Sequence, residues 1–80
     1  MIVDTGPPPA IYDYAPTPAP IVVPVRAMPP WCAQFRACAA IYPGVGCVIW
    51  ILDVEKGATR AQILRHEYGH CNSWPAAHPR

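Results

Sequence analysis

The sequence predicts a small α+β domain: a helix bearing two histidines, a short strand or hairpin, and a second helix, preceded by a proline-rich extended arm. Three observations lead there. Nine of the twelve prolines lie in residues 1–30, where each fixes φ and removes a backbone donor, so that stretch cannot form a helix or a sheet interior. Residues 45–54, VGCVIWILDV, are rich in the β-branched and aromatic side chains that favour strands. From Arg60 to about Cys71 there is no proline, and Ile63, Leu64, Glu67, Tyr68 and Cys71 recur with helical period.

Taken in chain order, residues 1–30 read as polyproline II or disordered, with Ile21–Val25 as a short edge strand. Trp31 to Ala40 is Ala-rich, follows Pro29-Pro30, and predicts a helix with Trp31, Phe35 and Cys38 on its inner face. Pro43-Gly44 then marks a turn. In the strand that follows, Cys47, Ile49 and Ile51 share one face and Val48, Trp50 and Leu52 the other. Both faces are apolar, so the strand is expected to be covered on both sides or paired. After a polar turn at residues 53–57, Thr59 and Gln62 match a capping box that opens a helix. Asn72 is the expected left-handed stop, and Pro75 forbids continuation. The compact part, residues 31–80, is too small to be stable on apolar burial alone, so disulfides, a metal or a partner are expected to help.

A net charge of +1 with no basic run argues against a nucleic-acid binder. The longest apolar stretch, Cys47 to Leu52, is too short to span a bilayer. Residues 1–4 lack the positive n-region of a signal peptide, which predicts a mature or trimmed form, or a protein not exported by that route. Cys32, Cys38, Cys47 and Cys71 favour two disulfides, and hence a periplasmic or secreted setting. Free thiols and a thiolate metal site are the alternatives, the latter weakened by the lack of a CxxC spacing. Cys32 and Cys38, placed on one helix six residues apart, would face different ways. Either of them with Cys47 or Cys71 is the expected pairing. The PxxP matches in the arm are nearly unavoidable at that proline content, though the arm could still contact a partner.

The chemistry concentrates in His66-Glu67-Tyr68-Gly69-His70, an HExxH motif within the most helical stretch. Residues four apart on a helix lie one above the other, so two imidazoles can grip one ion, and Glu67 projects close enough to act as general base. Zn2+ at a catalytic site takes three protein ligands. His78 is the leading candidate for the third, since Asn72-Ser73-Trp74-Pro75 can turn the chain back; Asp53 and Glu55 are weaker candidates. Cys71 sits about 100° around the helix from His70 and suits the same ion poorly. Tyr68 is a candidate for oxyanion stabilisation although its offset points it away from the pair, and Tyr14 or Tyr42 are equal candidates. Trp74 is expected to cap the core beneath the turn.

The run LRHEYGHCNSWPAAHP, Leu64 to Pro79, resembles the zincin-type HExxH metallopeptidases, and more specifically small bacterial and phage proteins ending in HE-x-x-HCN-G-WP-x-x-H. The resemblance implies a minimal zincin-like domain with a metal-binding helix, His66 and His70 as ligands, Glu67 as base and His78 as the closing ligand. Ser73 stands where the smaller group has Gly, a tolerable change if the turn does not require a positive φ. The metzincin pattern fails at Ser73 and Ala76, and the chain ends ten residues after His70, without the downstream Glu of gluzincins. The leading expectation is therefore a zinc-dependent metallopeptidase acting on a peptide or protein. The alternative is a non-catalytic secreted or phage binding module stabilised by zinc, disulfides or both.

Overall fold

A computed structural model describes residues 6–76 of the chain. Three strands, β1 (Ile21–Val25), β2 (Ala37–Tyr42) and β3 (Gly46–Leu52), form one sheet in the order β1-β3-β2, and one α-helix, α1 (Gly57–Cys71), completes an α+β fold. β3 is the central strand, parallel to β1 and antiparallel to β2. Its double-sided apolar pattern follows from that position. Ile49 and Ile51 are almost fully covered, and they form the core with Ala37, Ile63 and Leu64. The opposite face carries Trp50, on which Trp31 and Tyr42 pack edge to face at centroid distances of 5.4 and 6.3 Å.

The expected edge strand at Ile21–Val25 is present as β1, with Pro24 inside it. A proline is tolerated there because an edge strand leaves one side of its backbone without ladder bonds. No helix among the described residues is long and apolar enough to cross a membrane.

The second helix, expected over 31–40, is not formed. Only a single 3-10 turn, Pro30–Cys32, is helical there, and residues 37–42 are strand. Propensity gives way to tertiary pairing here. β2 completes a hairpin with β3 through the Pro43-Gly44 turn, and its small Ala37 and Ala39 let α1 approach the sheet. The disulfide expectation changes with it. Because the chain doubles back between the 3-10 turn and β2, Cys32 meets Cys38 and bonds to it, leaving Cys47 to bond Cys71. All four cysteines are thus in disulfides.

α1 also starts earlier than the capping box predicts. Lys56 is its N-cap and supplies no side-chain bond, so Thr59 lies within the first turn. Gly57, at φ +57°, makes the sharp entry that a side chain would resist.

Proline-rich residues 6–30 contribute β1 and a strap against α1. Asp13 accepts a bidentate pair of hydrogen bonds from Arg65. The Asn72 side-chain amide donates to the carbonyls of Tyr12 at 3.0 Å and Tyr14 at 2.7 Å. Pro8 is buried where the strap crosses the helix beside Gly69.

Candidate metal centre

α1 divides its faces. Ile63 and Leu64 enter the core, with Tyr68 and Cys71 packed against it, and the Cys47–Cys71 disulfide ties the last turn to β3. His66, Glu67 and Gly69 are also buried; Gly6 and Trp74 lie against His66, and Pro8 and Trp74 against Gly69.

The helix ends in a Schellman motif. Ser73 N–H donates to the His70 carbonyl and Trp74 N–H to the Gly69 carbonyl, both at 3.0 Å. The left-handed residue is Ser73, at φ +79°, and not Asn72, which stays at φ −89°. So the turn does require a positive φ at Ser73. This cap reverses the chain and lays Trp74 back over the histidines. Its indole stacks on the His70 ring at 4.7 Å with an interplanar angle of 10°, and meets His66 edge to face at 4.9 Å. Trp74 is therefore buried, as expected, but against the imidazoles and not in the sheet–helix core.

Both imidazoles are oriented by backbone carbonyls. His66 Nδ1 lies 2.7 Å from the Gly6 carbonyl oxygen, and His70 Nδ1 lies 2.8 Å from that of Trp74. A carbonyl only accepts, so each Nδ1 carries a proton, and a ring holding that single proton keeps its lone pair on Nε2. The two Nε2 atoms face each other at 3.2 Å. Two ligands bound to zinc at about 2.0–2.1 Å in tetrahedral geometry have nitrogens roughly 3.3 Å apart. Two lone pairs at this separation repel unless a cation lies between them. A metal ion there, or a proton that turns the pair into imidazole and imidazolium, would stabilise the contact. Histidine ligands to metals commonly have their second nitrogen fixed by a carbonyl or carboxylate, so the donor set suits zinc.

Glu67 is 3 % exposed and His66 5 %. Among the described residues no group of three or more His, Cys, Asp or Glu side chains is disposed to hold an ion. His78, the expected third ligand, lies outside the described residues. The weaker candidates are elsewhere. The Glu55 carboxylate pairs with the Arg36 guanidinium, whose hydrogen bonds hold it below the usual carboxylate range, and Asp53 is exposed beside β3. Tyr42 packs with Trp50 on the far face of the sheet.

No protein-family model, curated protein or solved structure matches the chain.

Sequence reasoning missed the strap. Gly6, Pro8, Asp13 and the carbonyls of Tyr12 and Tyr14 all reach α1 or its cap from 52 or more positions away in the chain. One signal existed. Gly69 interrupts an otherwise good helix, and such a glycine points to close approach by another segment.

Proposed function

We propose that the chain is a small zinc-dependent hydrolase of peptide bonds. In this reading His66 and His70 are two ligands, His78 is the third, and Glu67 is the general base. The observation that carries it is the pair of Nε2 atoms facing each other 3.2 Å apart, with both Nδ1 atoms anchored to carbonyls. The resemblance of Leu64–Pro79 to HExxH metallopeptidases supports the same assignment. Zinc held there would supply Lewis acidity and bring the pKa of a bound water toward neutrality. The protein's own part is to hold the two imidazoles in a single tautomer and to keep a carboxylate, Glu67, at the adjoining helix position, where it can take a proton from water and pass it to a leaving amine.

Metal analysis of the purified protein tests the site, with one equivalent of zinc expected in the parent and none in His66→Ala. Equal metal in both would remove the proposal. For turnover, Glu67→Gln should keep zinc and fold but lower hydrolysis of a peptide mixture by about 10²- to 10⁴-fold. A second reading, a non-catalytic module, is favoured by the near-complete cover over His66 and Glu67 and by the two disulfides already bracing the fold. Under it, the parent binds zinc but hydrolyses nothing, and Glu67→Gln changes neither property.

A further inference from the structure

We infer that the N-terminal strap, Gly6 to Tyr14, is a working part of the metal centre and sets its affinity for zinc, an inference that rests on the metal-site reading above. Four contacts fix the strap on α1 and its cap. The Gly6 carbonyl accepts from His66 Nδ1. Pro8 seats beside Gly69, so closely that an added Cβ there would come within 2.6 Å of it. Asp13 takes the Arg65 guanidinium, one residue before His66. Asn72, two residues after His70, donates twice into the Tyr12 and Tyr14 carbonyls. The last two are clamps at either end of the histidine pair, and neither touches the imidazoles.

The consequence is chemical. Of the two carbonyls that fix the ligand tautomers, Trp74's is local to the helix cap, but Gly6's arrives only if the strap is docked. With the strap released, His66 loses its acceptor; its proton can then move to Nε2, and the ring can rotate. Either change removes the lone pair that would ligate. Loss of such a supporting partner typically weakens metal binding about 10- to 100-fold. Asn72 and Asp13 are thus positioning residues for His66.

The test is zinc competition against a chromophoric chelator, using the full chain with disulfides intact, for the parent, Asn72→Ala and Asp13→Ala. Long-range ¹H–¹⁵N spectra of the zinc-free proteins would report the His66 tautomer. The expected result is a fixed Nδ1–H tautomer in the parent, a mixture in both variants, and at least about tenfold weaker zinc binding. The zinc-free proteins should keep the same sheet and helix signals. Parent-like affinity and tautomer in both variants would overturn the inference while leaving the metal site standing. A parent that takes up no zinc would overturn both. Asp13 lies at the exposed end of the strap, so Asp13→Ala carries the test should Asn72→Ala fail to fold.

Discussion

Replacing Gly69 with alanine sets local helix preference against the packing of the strap. In an unencumbered helix interior the change stabilises by about 1 kcal/mol, because glycine carries the larger conformational entropy. Here the new Cβ would lie 2.6 and 2.9 Å from two carbons of Pro8 and 2.9 Å from the Trp74 ring. Carbon contacts are most favourable near 3.5–4.0 Å, so those neighbours must retreat by roughly 1 Å. Neither is a flexible chain end. Pro8 is a ring in the strap, and Trp74 is pinned by its backbone bond to the Gly69 carbonyl and by stacking on His70. Overpacking of this kind costs about 1–3 kcal/mol, which exceeds the helix gain and leaves a net loss on the order of 1 kcal/mol. For a domain of this size that lowers Tm by roughly 4–8 °C. Thermal unfolding followed by circular dichroism measures it, with Ala61→Gly at an exposed helical position calibrating the propensity term in the same helix. If Gly69→Ala raises Tm by as much as Ala61→Gly lowers it, the strap does not press on the helix and the reasoning fails.

Ser73→Gly should raise stability by up to about 1 kcal/mol, since a non-glycine residue at φ +79° bears a left-handed penalty of that order; urea unfolding checks it, and a loss of stability would count against the cap as described. Replacing Cys47 and Cys71 by alanine, with 24 residues of separation, should cost about 3.5 kcal/mol by loop entropy, against about 2 kcal/mol for Cys32 and Cys38, separated by six; chemical denaturation of the two double variants should rank them in that order. Acid should weaken the fold through Asp13 and Glu55, both held below their ordinary range by hydrogen bonds from Arg65 and Arg36 respectively. Their folded values lie below the unfolded ones, so the contribution is complete above about pH 4–4.5 and is lost as pH falls through the lowered values. Urea titrations from pH 6 to 2.5 should show that loss, and Asp13→Asn with Glu55→Gln should flatten it.

What could be read from the sequence was decided by how local its cause is. The histidine helix was legible because its period, its freedom from proline and its proline stop all lie within about fifteen residues. The central strand was legible from β-branched density, and the edge strand from a short apolar run between prolines. The stretch 31–40 was not, because alanine favours a helix in isolation while its small volume here serves a strand under a helix. The cysteine pairing failed for the same reason. Helical geometry sets Cys32 and Cys38 apart, but the segment does not adopt it, and the reversal between them depends on a hairpin formed further along the chain.

The candidate site divides along the same line. His70's support is encoded next to it: Asn72-Ser73-Trp74-Pro75 ends the helix, turns back, and delivers the Trp74 carbonyl to Nδ1. His66's support comes from a backbone oxygen sixty residues earlier. A backbone acceptor has no side chain to announce it, and any residue at position 6 offers the same carbonyl. What sequence does record is the clearance such an approach demands, a glycine one turn along the helix, and the two clamps, Asp13 with Arg65 and Asn72 with the strap carbonyls. Each clamp residue has a bland surface reading when met alone. They acquire a common partner only when the strap is seen lying on the helix, so in a chain this small the proline-rich segment and the histidine helix pack as one unit.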